Sequence, residues 1–301
     1  MDNNNEDPDT FTPFYSEIYD DKLLKEGLNN EEYASYETIL ERIFKNNTPL
    51  KVFSISKSKI TFLAVNKNNK TELKVKIRIN ENDVGKTPWE VLFHNEFPHN
   101  LDQIDPVSRA IEGRVYALIF KAEEVFTTIE EHVGGGLLTF TPERCARINE
   151  KLDEILNGLH EENMYICDLS PESVLYNYDT EEIKLINFEN SIMSEDSNVE
   201  LTRVYGPTSF HSPEQVLWSR GEINEPPKAR DVDMWCKANI IYYCLYGRFA
   251  FDSSKKIVEE KLSFPSDKKV SEDIKKLLLE MFDKEVGNRP HNRREETEEN
   301  Q

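Results

Sequence analysis

The polar residues that could carry out chemistry lie in two short segments separated by a predicted turn. Residues 165–176 read Tyr-Ile-Cys-Asp-Leu-Ser-Pro-Glu-Ser-Val-Leu-Tyr and include Asp168, and residues 186–189 read Ile-Asn-Phe-Glu. A loop carboxylate such as Asp168 can accept a proton from a hydroxyl group. The neutral amide of Asn187 is a far poorer ligand for a hard divalent cation than a carboxylate. These segments therefore offer a proton acceptor but a poor metal site.

A predicted helix and a predicted hairpin position these two segments. The helix begins at Thr141, which is followed by proline, and its apolar residues recur at helical spacing. These apolar residues are Ile148, Leu152, Ile155, Leu156 and Leu159. The hairpin has strands at 173–176 and 183–186, which flank the turn at 177–180. Further helices are predicted at 213–218, 232–245, 257–261 and 271–282.

The first half of the chain has the alternating apolar and polar residues that are typical of strands. Strands are predicted at 52–55, 60–65 and 73–79 as an antiparallel meander, with another at 115–120. A capping box at 87–90, with proline at the first helical position, predicts the start of a short helix. A strand-rich front joined to a larger helical back is a two-lobed α+β plan.

Charge and cysteine content exclude several classes of partner. The 301 residues include 37 Lys and Arg against 57 Asp and Glu, a net charge of −20. This field repels nucleic acid and anionic membrane surfaces. The chain has neither a signal peptide nor an apolar stretch long enough to span a bilayer, which predicts a soluble protein of the cytoplasm or nucleus. The four cysteines lack C-x-x-C spacing and are expected to be reduced thiols.

Both ends of the chain are polar and are predicted to lie outside the folded domain. Residues 1–20 are acidic and expected to be disordered, and 291–301 form a polar tail. The intervening domain, 21–290, is divided into a small β-rich lobe at about 45–120 and a larger helical lobe at about 125–290. We expect a monomer.

Five segments resemble, in the right order, the landmarks of the protein-kinase superfamily. They are the catalytic loop at 166–173, the D-F-G segment at 187–189, the end of the activation segment at 206–214, the helix start at 233–235 and the late arginine element at 288–290. The resemblance implies a bilobal kinase-like fold with a small β-rich N-lobe and a larger helical C-lobe. It also implies structural roles for Asp233 and for a buried ion pair between Glu214 and Arg289.

The chain departs from this family at most of the positions that carry its chemistry. Asp168 matches the catalytic aspartate. Six other matched positions hold different residue types from those of the family, and they are Ile166, Cys167, Ser170, Ser173, Asn187 and Glu189. No glycine occurs at 54–59, where the phosphate-binding loop would lie. We therefore expect no metal site, and ATP binding that is absent or weak and independent of Mg²⁺.

Three of the matched residues each have two interpretations. Asp168 is either a working base or, as favoured here, a structural carboxylate that accepts backbone hydrogen bonds in its loop. Lys76 matches the family's strand lysine and is a weak candidate for nucleotide binding, or it is an ordinary solvated lysine. Glu90 either pairs with Lys76 or bends back to cap its helix at Thr87, and the cap is favoured.

A narrower resemblance points to the Tribbles pseudokinases. The acidic residue at Glu189 and the Tyr-Gly-Arg-Phe-Ala-Phe-Asp stretch at 246–252 carry it. It implies a scaffold without enzyme activity that binds a transcription factor or a MAP-kinase-kinase-like kinase and recruits a ubiquitin ligase, thereby regulating partner activity or degradation. The tail after Pro290 lacks the Val-Pro pair that docks such a ligase. The alternative is a divergent active Ser/Thr protein kinase with unusual metal use.

The partner surface of such a scaffold is predicted in the segment that follows Asn187. Apolar Phe188 and Met193 lie close in sequence to acidic Glu195 and Asp196, a combination suited to a basic and apolar peptide. The alternative is an unremarkable solvated loop.

Overall fold

A computed structural model describes ten parts of the chain and shows two compact units. The described residues are 40–41, 43–55, 59–79, 90, 93, 103–105, 115–121, 126–134, 140–266 and 269–291. The strand-rich unit contains the described residues up to 121 except Phe93, and the helical unit contains Phe93 and the residues from 126 onward. The predictions for both chain ends, the loop at 56–58 and the cap at Thr87 lie outside the described residues.

The strand-rich unit contains an antiparallel sheet with the order β1-β2-β3-β5-β4. Its strands are Asn47–Ile55 (β1), Lys59–Asn66 (β2), Glu72–Ile79 (β3), Gln103–Asp105 (β4) and Val115–Lys121 (β5). Alternate residues of β2, Ile60, Phe62 and Ala64, are fully buried because successive side chains point to opposite faces. The predicted meander of three strands is confirmed.

The helical unit contains six helices and two small sheets in its described part. The helices are Ile129–Gly134 (α1), Pro142–Glu161 (α2), Pro213–Ser219 (α3), Ala229–Tyr246 (α4), Ser254–Glu259 (α5) and Glu272–Met281 (α6). The sheets are formed by Phe126–Thr128 (β6) with Val174–Asn177 (β8) and Ile183–Leu185 (β9), and by Met164–Tyr165 (β7) with Ile192–Met193 (β10). The kinase-like α+β plan is confirmed, with a strand-rich unit followed by a helical one.

Helix α2 carries the loop that holds Asp168, and its sequence explains where it begins and how it packs. The Thr141 side chain accepts a hydrogen bond from the Arg144 N–H, and Pro142 occupies the first turn. The predicted apolar stripe, including Leu152 and Leu156, is buried in the core, where α2 packs against α4. This arrangement fixes the direction in which the chain leaves α2 toward Asp168.

Helix α4 is the centre of the helical unit, and its residues are buried all round. It ends at Gly247, which has a φ of +64°, a left-handed conformation that favours glycine. The helix predicted at 257–261 instead occupies Ser254–Glu259, because the Ser253 side chain accepts a hydrogen bond from the Lys256 N–H and caps it earlier.

The four cysteines are free thiols, as the sequence predicted, and the structure places all four in buried positions. No helix in the described parts of the chain has both the length and the apolar character needed to cross a membrane.

The expected ion pair between Glu214 and Arg289 is present and buried. Two guanidinium nitrogens of Arg289 donate to the two carboxylate oxygens at 2.9 and 2.8 Å, and its Nε donates to the Asp283 carbonyl at 3.0 Å. The guanidinium also lies over the Trp235 ring, 5.0 Å from its centroid. Burial acts to lower the pKa of Arg289, but Glu214, together with Asp231 and Asp283, acts to raise it, and the net pKa is raised.

Replacing Arg289 with alanine should lower the free energy of unfolding by about 3 to 5 kcal/mol, because it leaves the Glu214 carboxylate without its partner. Urea unfolding of the purified variant measures this loss. Arg220→Ala is the matched control, since Arg220 lies 3.6 Å from Glu222 in an exposed pair. Its cost should stay within about 1 kcal/mol. Equal losses in the two variants would contradict a structural role for the buried pair.

Candidate catalytic site

The loop before Asp168 is held by the buried carboxylate of Asp233 on α4. Its two oxygens accept the backbone N–H groups of Ile166, at 2.9 Å, and Cys167, at 2.7 Å. Nε2 of His160 lies 3.0 Å from the first of these oxygens. Cys167 has a φ of +63°, so the chain turns sharply there and delivers Asp168 to the part-exposed side of the loop. The structure thus places Asp233 as the anchor of the candidate site.

Asp168 does not have the backbone contacts that were favoured for it. In the described residues no backbone N–H donates to its carboxylate, because the nearby loop N–H groups are taken by Asp233. The Asn190 side chain donates instead, with 2.8 Å between Nδ2 and Oδ2 of Asp168. Burial raises the pKa of Asp168, and the hydrogen bond from Asn190 acts against this rise.

Gly206 approaches the other oxygen of the Asp168 carboxylate. It has a φ of +80°, and a Cβ atom added there would lie 2.5 Å from Oδ1 of Asp168. Nε2 of His211 lies 3.0 Å from the Gly206 carbonyl oxygen. Sequence reasoning missed Asn190 and Gly206 as neighbours of Asp168. The Gly-Pro pair at 206–207 was the one local signal of a sharp backbone turn.

Ser170 and Ser173 close the catalytic loop on itself. The Ser173 hydroxyl donates to the Ser170 carbonyl at 2.8 Å and accepts from the Ser170 N–H at 2.9 Å. Ser173 is buried, whereas Asn187 and Glu189 are half-buried. Asn187 has a φ of +68°, a left-handed conformation that asparagine tolerates better than most residues.

These residues fit a metal ion poorly. The Ser173 hydroxyl already donates its hydrogen bond within the loop. Asn187 offers only a neutral amide oxygen, whereas a divalent cation prefers a carboxylate. No cluster of three or more His, Cys, Asp or Glu suited to a metal occurs among the residues that the structure describes.

The assignment of Phe188 to a partner surface is wrong. Its side chain is fully buried, and its ring centroid lies 4.6 Å from that of Phe93 in the core of the helical unit. Met193 is half-buried in β10, whereas Glu195 and Asp196 are exposed. The sequence showed an apolar residue beside polar ones but could not show which direction its side chain takes.

Lys76 and Glu90 form a buried ion pair within the strand-rich unit. Nζ of Lys76 lies 2.6 Å from Oε1 of Glu90, and the two side chains are 8% and 2% exposed. Lys76 is therefore not a solvated strand lysine, and the pairing of Glu90 with Lys76, the interpretation that was not favoured, is present. The cap at Thr87 lies outside the described residues. The physical reason is that a buried ammonium group requires an opposite charge.

Three curated relatives illustrate what the chain is similar to. It is 28% identical over 141 residues to the serine/threonine-protein kinase ssp1 of Schizosaccharomyces pombe, covering 43% of this chain and 21% of that protein. It is 26% identical over 187 residues to the serine/threonine-protein kinase pim-2 of Danio rerio, covering 60% and 54%. It is 32% identical over 167 residues to a probable cAMP-dependent protein kinase catalytic subunit of Encephalitozoon cuniculi, covering 51% and 48%. The chain spans about half or less of the length of these relatives.

The names of these relatives correct the prediction that the chain is not an enzyme. All three are named as protein kinases, two of them as serine/threonine kinases, and none is named as a pseudokinase or scaffold. The resemblance to Tribbles proteins is therefore supported only at the level of the kinase superfamily. The replaced residues at matched positions had suggested inactivity, and the similarity to named kinases overturns that conclusion.

The match to a protein family extends through both units. A model of the protein kinase domain matches residues 62–296, from strand β2 to beyond the buried Arg289. This range contains Lys76, Asp168 and Asn187 in their expected order. The chain therefore belongs to the protein kinase domain family.

Proposed function

We propose that this chain is a divergent serine/threonine protein kinase with unusual metal use. The observation that carries the proposal is the Asp168 carboxylate, which lies part-exposed on a loop anchored by Asp233 and accepts a hydrogen bond from the Asn190 amide. A carboxylate held in this way can accept the proton of a substrate hydroxyl. Similarity to named serine/threonine kinases supports the same reaction.

In this reaction the substrate hydroxyl oxygen forms a bond to the γ-phosphorus of ATP. The bond between that phosphorus and the oxygen bridging to the β-phosphate breaks, and ADP leaves with the bond electrons. The hydroxyl proton passes to Asp168 and then to solvent. Positioning and charge stabilisation supply most of the rate in phosphoryl transfer, so the orientation of Asp168 matters more than its basicity.

The Lys76 ammonium group supplies positive charge for the phosphates. A lysine paired with a buried glutamate is the arrangement that kinases use for this purpose, and Glu90 fixes the amine here at 2.6 Å. Because the metal positions fit a cation poorly, we propose weak binding of ATP with little dependence on Mg²⁺. Weak ATP binding of this kind is compatible with enzyme activity, whereas a complete absence of ATP binding is not.

The protein substrate is proposed to carry basic side chains near the acceptor hydroxyl. Glu195 and Asp196 are exposed beside half-buried Met193, and the chain has a net charge of −20. Opposite charges accelerate association, and salt screens the effect. Phe188 has no part in this surface, because it is buried.

Purified protein should transfer labelled phosphate from ATP to a library of basic serine and threonine peptides, and Asp168→Asn should lower the rate by about a hundredfold or more. The matched control is Asp179→Asn, which changes an exposed aspartate in the turn after β8 and should retain activity. No transfer by the parent protein with Mg²⁺ or Mn²⁺ would overturn the proposal. Equal rates in Asp168→Asn and the parent would place the activity elsewhere.

Lys76→Met and Glu90→Gln should each lower kcat/KM for ATP by about ten- to a hundredfold, which corresponds to the ~1.5 to 3 kcal/mol of a charge-assisted hydrogen bond. Steady-state kinetics at varied ATP concentration measures this change. Lys275→Met serves as control, since it removes a partly exposed lysine whose Nζ lies 2.7 Å from Oε1 of Glu272. A normal KM and kcat in both site variants would exclude Lys76 from nucleotide binding.

Asn187→Asp should strengthen the dependence of the rate on Mg²⁺ and raise kcat, because a carboxylate binds the cation better than an amide. The left-handed conformation at this position also suits aspartate. Rates across a Mg²⁺ titration measure the change, and Asn224→Asp at an exposed position controls for added charge. An unchanged dependence of the rate on Mg²⁺ would show that the side chain at position 187 does not bind the cation.

A further inference from the structure

We infer that Asn190 and Gly206 are positioning residues for Asp168, the first through its side-chain amide and the second because it lacks a side chain. The inference rests on the proposed function, since it says how that reaction's carboxylate is oriented. None of the five sequence landmarks assigns a role to Asn190, which lies 22 positions from Asp168 in the chain.

The position of Asn190 is fixed by the turn in which it lies. The Ser191 N–H donates to the Phe188 carbonyl at 3.2 Å, which closes a turn around residues 189 and 190. Phe188 anchors one end of this turn in the core. The Ser191 hydroxyl donates to the Ile166 carbonyl at 3.3 Å and ties the other end to the catalytic loop. The amide is therefore held at a set distance from Asp168.

The contact between Asn190 and Asp168 has a defined direction. An ionised carboxylate can only accept hydrogen bonds, so the Asn190 NH₂ group must be the donor. Within the described part of the chain it is the one hydrogen-bond donor to the Asp168 side chain. Ser170 and Ser173 do not contribute, because their hydrogen bonds close the loop between them. One oxygen of Asp168 is thus oriented by Asn190, while other lone pairs stay available to a substrate hydroxyl.

The lack of a side chain at Gly206 leaves room for the second oxygen. A Cβ atom at this position would lie 2.5 Å from Oδ1, closer than a side chain can approach without displacing the carboxylate. The contact of His211 with the Gly206 carbonyl, at 3.0 Å, holds this backbone in place. One oxygen of the carboxylate is therefore held by a donor, and the other occupies space that a side chain at position 206 would fill.

Several charged groups act on Asp168 together with Asn190. Burial raises its pKa, the Asn190 hydrogen bond lowers it, the Glu189 and Glu172 carboxylates raise it, and His211 lowers it. The buried Cys167 and Cys236 thiols also interact with Asp168, but burial raises their own pKa values and keeps them neutral. Removing the Asn190 donor should therefore raise the pKa of Asp168.

The decisive variant is Asn190→Leu, which keeps the branched shape of the side chain and removes the donor. We expect kcat to fall by about ten- to a hundredfold with little change in the KM for peptide, because the carboxylate loses its orientation. The acid limb of the pH profile should move to higher pH, since protonated Asp168 cannot accept the hydroxyl proton. Asn190→Gln, which retains an amide donor, should recover part of the rate. Asn224→Leu makes the same change at an exposed site and should behave as the parent.

A second pair of variants tests Gly206. Gly206→Ala and Gly221→Ala both place a side chain at a positive φ, +80° and +71°, but nothing lies within 4 Å of a Cβ at Gly221. Both variants therefore have a strained backbone, but only Gly206→Ala is expected to displace Asp168. We expect the loss of kcat in Gly206→Ala alone. Equal activity in the two variants would overturn the role of Gly206.

The outcomes separate this inference from the proposed function. If the parent is active and Asn190→Leu has the same rate and pH profile, the role of Asn190 is overturned. The kinase proposal then still stands. If the parent shows no transfer, the proposed function fails, and a ¹³C NMR titration of the Asp168 carboxyl, assigned with Asp168→Asn, tests the contact by itself. A higher pKa in Asn190→Leu than in the parent supports the contact, and an unchanged pKa overturns it. If Asn190→Leu does not fold, Asn190→Ala is used for the same measurements.

Discussion

The Asp233 carboxylate accepts the N–H groups of Ile166 and Cys167 and contacts His160, all inside the helical unit. A buried carboxylate is tolerated only when it is paired or hydrogen-bonded, so this contact fixes both the helix and the loop. The loop N–H groups are thereby satisfied without Asp168. The Asp168 carboxylate consequently stays available on the part-exposed side of the loop.

The same requirement organises the other buried charges that matter here. Arg289 is paired with Glu214 of α3, and Lys76 is paired with Glu90 in the strand-rich unit. The first pair stabilises the helical unit, whereas the second holds an ammonium group that a phosphate could use. In both pairs a buried positive group is stabilised by a carboxylate. The Arg289 pair is a structural contact, and the Lys76 pair contains a candidate phosphate-binding group.

The loss of family residues did not establish the loss of function. Ser170 and Ser173 cannot act as a lysine and a metal-binding asparagine, but they close the loop through their own hydrogen bonds. Asn190 donates to Asp168 from a different segment. The residue types at the matched positions therefore show which family contacts are absent. They do not show which side chains from other segments contact the same groups.

The sequence alone was sufficient for the elements whose pattern is local. Alternation together with β-branched residues specified β2 and β3, and Thr141 with a helically spaced apolar stripe specified α2, because strand and helix periodicity depend on near neighbours. The order of the landmark segments was sufficient for the kinase fold and for the pairing of Glu214 with Arg289. Only the tertiary structure decided that Glu90 contacts Lys76, that Phe188 points into the core, and that Asn190 contacts Asp168. These contacts join residues far apart in the chain, and their free energies depend on burial and direction, which a local pattern does not contain.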